Sequence, residues 1–211
     1  MNCKERILSN DYADIILDYA LSESALTELG DDYCFSNIDG EFGVAFLARR
    51  ELPSISTGAY TYTSVPKLYG LMQTFQVDNL VETGSLQIQG PPLSLKGRGV
   101  IIGFIDTGIR YQLDVFRNES GGSRILSIWD QTIQTGEPPE GFLYGTEYTR
   151  EDIDRALQSQ NPLDIVPTTD ENGHGTAMVS TAAGSILNQG LTFRGAAPES
   201  EIAVVKLKGA K

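Results

Sequence analysis

Apolar residues fall into short, separated runs along this chain, and each run predicts an element. Residues 11 to 50 contain an apolar run from Asp14 to Tyr19, a helical stretch from Ser22 to Leu29 halted by Gly30, and two runs meeting at Asp39-Gly40. That dipeptide predicts a type I′ hairpin, because both residues tolerate positive φ. Residues 51 to 75 turn to Ser, Thr, Tyr and Pro without a clear period and predict an extended linker. From Gly97 the pattern changes, and Gly99 to Ile105 is almost continuously apolar. Such a run predicts a parallel strand covered by helices on both faces, so a second domain begins before it.

Between Arg110 and Thr169 the chain is polar and irregular, which predicts a surface insertion carrying a single helix. Thr149 caps that helix, Glu151 and Asp152 follow in its first turn, Ile153, Ala156 and Leu157 form its apolar stripe, and Asn161-Pro162 marks its end. His174 to Leu187, rich in Ala and Ser, has helical length, and after the turn Gly195-Ala196-Ala197-Pro198 comes an apolar strand from Ile202 to Leu207. Strand, helix, strand in that order predicts a βαβ unit and an α/β fold with a parallel sheet. Glu201 to Lys208 is expected as the last strand of that sheet, unpaired on one side and prone to association.

Charge narrows the partners. With 16 basic and 28 acidic residues the net charge is −12, and the summed field repels phosphate backbones and anionic lipid heads. We therefore expect no nucleic acid and no membrane as partners. No stretch approaches the roughly 20 apolar residues of a membrane helix, and Met1 to Asn10 lack the apolar segment of a signal peptide. A cytoplasmic or spore-associated location is the expectation. Cys3 and Cys34, the only cysteines, do not make a dense disulfide framework and are expected to be reduced.

Two short motifs carry the chemistry. Ile105-Asp106-Thr107-Gly108 sets a carboxylate at the carboxyl end of a buried strand, the edge where open α/β sheets place reactive groups. Asn172-Gly173-His174-Gly175-Thr176 sets the chain's only histidine at a helix start, between glycines that allow close approach. A serine nucleophile does not ionise at neutral pH. It needs an imidazole as general base and a carboxylate to hold the ring tautomer and offset the imidazolium charge. Asp106 and His174 fit those two supporting roles, although alone each has a bland reading, a turn residue and a satisfied core histidine.

Taken together, Ile-Asp-Thr-Gly-Ile, Gly-His-Gly-Thr, Gly-Ala-Ala-Pro and the apolar strand after it resemble the subtilisin-like serine proteases, over about residues 97 to 208. The segment from Arg124 to Gln131, with Tyr144-Gly145-Thr146-Glu147-Tyr148, resembles their clostridial Csp-like branch, whose best-known members act in spore germination. The resemblance implies a small α+β pro-region over residues 1 to 73, acting as chaperone and inhibitor and removed by self-cleavage between about Tyr69 and Gln76. Residues 74 to 211 would be the first part of a catalytic domain, with Asp106 and His174 as two members of an Asp-His-Ser triad. Ala177 and Ser180 stand where the family commonly has a second His and a Gly, a departure confined to packing positions.

A larger departure is the nucleophile. No Gly-Thr-Ser motif and no oxyanion Asn follow His174, so the chain alone is expected to be inactive and to need the remainder of its own catalytic domain. The complete enzyme would hydrolyse protein or peptide substrates. An alternative from another class is a pseudoprotease serving as a binding or signalling module. Ser180, Ser185 and Ser200 lie in no nucleophile motif and read as helix and turn serines.

No cofactor is required by this reading. Calcium is a candidate structural ion, because Asp114 and Asn188 fall near positions that hold it in the family, although calcium takes six to eight oxygens and two residues do not make a site. A single histidine excludes a His-Glu-x-x-His zinc site, and Gly97-x-Gly99 precedes its strand where a dinucleotide fingerprint would follow one. A cysteine protease built from Cys34 and His174 is a further reading, and the sequence around Cys34 has no nucleophile signature.

Overall fold

A capping box starts the first helix, α1 (Cys3–Leu8): Asn2 Oδ1 accepts from the Glu5 amide and Glu5 Oε2 accepts from the Asn2 amide, both at 2.9 Å. The computed structural model describes residues 2–18, 34–38, 42–54, 64–65, 70, 84–186 and 193–210. The chain divides into two compact units, Met1–Gly70 with Ala210–Lys211, and Leu71–Gly209. In the first, α1 buries Ile7 and packs on an antiparallel sheet of β1 (Tyr12–Asp18), β2 (Phe35–Asn37) and β3 (Phe42–Ala48), in the order β1-β3-β2. The register runs Tyr12↔Ala48 to Asp18↔Phe42 on one side of β3 and Phe35↔Ala45 to Asn37↔Gly43 on the other. β2 and β3 thus form an antiparallel pair around the Asp39-Gly40 site, while the turn itself and the helix expected from Ser22 to Leu29 lie outside the described residues.

Cys3 and Cys34 are not the reduced thiols expected. They form a disulfide, with Cα atoms 5.1 Å apart, inside the range such a bond requires. The cause is packing that sequence spacing does not display: Cys3 opens α1, α1 lies against β3, and Cys34 directly precedes β2, the neighbour of β3. No free thiol remains, which removes Cys34 as a candidate nucleophile.

The second unit is an α/β layer. Its sheet consists of β4 (Ile101–Asp106), β5 (Ile125–Asp130), β6 (Thr146–Thr149) and a last strand (Glu201–Lys206), and between them the chain forms short helices and turns. A single helical turn, α2 (Ser85–Ile88), precedes β4. α3 (Arg150–Leu157) follows β6 and packs on β5 and β6, and α4 (His174–Ala183) packs on β4. Two-residue strands β7 (Ser185–Ile186) and β8 (Phe193–Arg194) pair with each other ahead of the last strand, here β9. The order is β4-β9-β5-β6, with β4, β9 and β5 parallel and β6 antiparallel. β4, α4 and β9 are the βαβ unit that the pattern predicts. α3 starts where expected, at a Thr149 cap whose hydroxyl exchanges hydrogen bonds with Asp152, and it buries Ile153 and Ala156 completely.

Three expectations need correction. β9 is not an unpaired end: it lies between β4 and β5, and among the described residues the sheet edges are β4 and β6. The stretch from Arg110 to Thr169 is not a surface insertion, because it supplies β5 and β6 and sends Tyr111, Phe116, Ile125, Ile128 and Val166 into the core. Finally, among the described residues β4 is covered on one face only. Ile102 and Phe104 pack against the core cluster that α3 and α4 also feed, whereas Ile101 and Ile105 are 59% and 69% exposed. No helix among the described residues is long and apolar enough to cross a membrane.

One buried cation ties this unit together. Arg124, 8% exposed, donates through its guanidinium to the carbonyls of Ser200 (2.8 Å), Val115 (2.9 Å), Ala183 (2.5 Å) and Arg117 (3.3 Å). It joins the entry to β9, the 3-10 turn Asp114–Phe116 and the last residue of α4, whose negative dipole end favours a cation. Burial lowers its pKa below the ordinary guanidinium value. Only the planar five-donor fork reaches four carbonyls at once, so Arg124→Lys keeps the charge and orphans buried acceptors. The expected loss is about 2–4 kcal/mol, read as a lower urea midpoint at unchanged slope.

Candidate functional site

The site forms where β4 ends and α4 begins. Asp106 is the last residue of β4, and Thr107, Gly108 and Ile109 carry the chain away from the sheet edge. Gly108 has φ +119°, and a side chain there would press on the Thr169 carbonyl and on Lys206. Gly173, with φ +85°, turns the chain into α4. A Cβ on Gly175 would collide with the Gly108 carbonyl oxygen, so the first turn of α4 lies directly on the loop after β4. These glycines are why both motifs have small residues close to Asp106 and His174.

That contact sets His174 against Asp106. Nδ1 of His174 lies 2.8 Å and 2.9 Å from the two carboxylate oxygens, and the Thr107 amide donates to Oδ1 of Asp106 at 2.7 Å. The side chains are 10% and 15% exposed, so water screens the pair only weakly. An ionised carboxylate only accepts hydrogen bonds, which places the ring proton on Nδ1 and makes Nε2 the nitrogen that can act as a base. The structure therefore brings the two residues singled out by sequence into one hydrogen-bonded pair.

Asp170 escaped the sequence reading. It is 1% exposed, and its Oδ1 accepts from Thr107 Oγ1 and the Gly173 amide, both at 2.8 Å. Its Oδ2 accepts from the Thr176 amide at 2.8 Å and the Thr176 hydroxyl at 2.6 Å. Burial alone would raise its pKa, but the bonds from Thr176, Gly173 and Thr107 outweigh that and hold it below the ordinary 3.8. The signal available in sequence was an acid just ahead of a helix start, where carboxylates satisfy free amides.

The two calcium candidates are not brought together. Asp114 begins the 3-10 turn Asp114–Phe116, is largely exposed, and pairs with Arg117 at 3.2 Å, while Asn188 lies outside the described residues. No group of three or more His, Cys, Asp or Glu side chains among the described residues could hold a metal ion. Ser180 donates to the Thr176 carbonyl and Ser200 to the Ala197 carbonyl, as helix and turn serines do.

Comparison with known proteins adds to this geometry. The profile of the Subtilase family, Peptidase_S8, matches residues 97–211. Subtilisin-like protease SBT3.6 of Arabidopsis thaliana is 34% identical over 125 residues, covering 52% of this chain and 16% of that protein. Subtilisin-like protease SBT3.10 of the same plant is 35% identical over 127 residues, with the same coverage. The CspB protease of Clostridium perfringens superposes with a TM-score of 0.52 at 32% identity, over 64% of this chain and 26% of that one. The chain thus spans about a sixth of the length of these plant relatives and about a quarter of the clostridial structure.

Two outcomes follow from the geometry. Gly175→Ala forces α4 off the loop after β4 and should lower stability by about 1–3 kcal/mol in chemical denaturation, the usual cost of overpacking. The pH dependence follows from Asp170, whose folded pKa is lowered. Its contribution is complete above the ordinary carboxyl value of 3.8 and is lost as pH falls from there toward the folded value. Melting temperature should therefore drop in that acid range for the native chain, with a shallower drop for Asp170→Asn.

Proposed function

The chain belongs to the subtilase family, and from that premise we propose that residues 74 to 211 supply two members of the Asp-His-Ser triad of a serine endopeptidase. One observation carries this reading: Nδ1 of His174 is bonded to both carboxylate oxygens of Asp106 at the sheet edge. In the proposed reaction His174 Nε2 removes the proton from a serine hydroxyl as that oxygen attacks the peptide carbonyl. The same nitrogen then returns the proton to the leaving amine, and Asp106 holds the ring and offsets its positive charge. Water repeats the sequence on the acyl-enzyme.

Serine and oxyanion donors are proposed to come from the remainder of the catalytic domain, which makes this chain inactive by itself. Its partners are then that remainder and protein or peptide substrates. Residues 1 to 73 are proposed to act as a pro-region that assists folding and is removed by self-cleavage.

The test is to express the chain together with the coding sequence beyond codon 211 and to probe it with a serine-directed fluorophosphonate. Labelling of one serine, and a fall in its rate on the order of 10⁶-fold with His174→Ala, are expected of a triad. Release of a fragment of about 70 residues should accompany it, matching the first compact unit, Met1–Gly70. Labelling that survives His174→Ala would exclude the triad reading. An intact fold that never labels would instead favour a pseudoprotease acting as a binding module.

A further inference from the structure

We infer that Asp170 is a positioning residue that fixes His174 against Asp106 by acting through the hydroxyls of Thr107 and Thr176. The inference rests on the triad reading above and deepens it. Its basis is the pattern of donors and acceptors between the loop after β4 and the first turn of α4. Thr107 gives its one hydroxyl proton to Asp170 Oδ1, which leaves the Thr107 oxygen to accept the Gly175 amide at 3.0 Å. Thr176 gives its hydroxyl proton to Asp170 Oδ2, and its oxygen accepts the Arg110 amide at 3.0 Å. A hydroxyl with a single proton can make both bonds only if an obligate acceptor takes that proton, and an ionised carboxylate is one.

The two relays run in opposite directions across one seam. Thr107, next to Asp106, receives from α4, while Thr176, two residues after His174, receives from the loop. Asp170 also accepts the Gly173 and Thr176 amides directly, and its own carbonyl accepts Arg110 Nε at 3.2 Å. With Asp170 1% exposed, water has no room to replace a missing acceptor. The seam lies between the residue that holds the carboxylate and the residue that holds the imidazole. A slip there acts directly on the two Nδ1 bonds.

His174 is the only histidine, so nitrogen NMR of the histidine-labelled 211-residue chain reads its ring without the nucleophile present. The native chain should show the Nδ1–H tautomer and a slowly exchanging Nδ1 proton. Thr107→Val keeps volume and charge but loses the relay, and we expect it to lose that proton signal and about half or more of the Nδ1–H population. Thr107→Ser should restore both, and Asp170→Asn should behave like the valine variant. The charged neighbours in bonding contact with this seam, Asp106 and Arg110, are unchanged in all three variants.

A folded Thr107→Val and a folded Asp170→Asn that keep the native ring signal would overturn the inference. So would unfolding of both, judged by circular dichroism, since the seam would then serve stability and not ring position. Asp106→Asn separates the two levels of argument. If it leaves the ring signal intact, the triad reading itself fails, whereas a change with Asp106→Asn and none with Thr107→Val removes the positioning role alone.

Discussion

Much of the second unit follows from one close approach, that of the Gly175 backbone to the Gly108 carbonyl. Neither position has room for a Cβ, so a helix begins in direct contact with the loop that leaves a strand. Parallel pairing of β4 with β9 and the crossover through α4 bring the two segments to the same sheet edge, and the missing side chains let them touch. Asp106 and His174 are 68 residues apart in sequence, yet their hydrogen bond follows from that contact. Asp170 and the two threonine hydroxyls then satisfy the amides that such a tight junction leaves without helical partners.

Legibility tracked how local each signal was. β4, α3, α4 and β9 could be read because apolar runs, a capping threonine and flanking glycines declare themselves within a few residues. Asp106 and His174 were legible for the same reason, each inside its own glycine motif. β5 was not: Arg124 directly precedes it, Ser127 breaks its apolar pattern, and its register against β9 shifts between Ile125 and Ser127. A polar residue that looks like evidence against a strand is here the cation that joins three backbone segments.

Two other misses have the same physical origin. Cys3 and Cys34 are 31 residues apart, and a lone pair at that spacing carries no pattern from which pairing follows. Only the packing of α1 on the sheet brings them within bonding distance. Asp170 is one of 28 acidic residues, and nothing in composition or period separates it from the solvated ones. What distinguishes it is complete burial among donors, a property of the tertiary structure.

β4 shows the converse case, a sequence that describes more burial than its own unit provides. Its run reads as apolar on both faces, and the core receives only Ile102 and Phe104 while Ile101 and Ile105 face outward. Parallel sheets keep apolar residues on both faces when layers cover both, so the pattern of β4 is that of a strand with a second cover. Among the described residues α3 and α4 feed a single core cluster, the one that receives Ile102 and Phe104. The outward isoleucines, and the β4 edge that no other described strand pairs, favour association, and the net charge of −12 opposes it through repulsion that salt screens. Raising ionic strength weakens that repulsion without weakening the apolar attraction of the outward isoleucines.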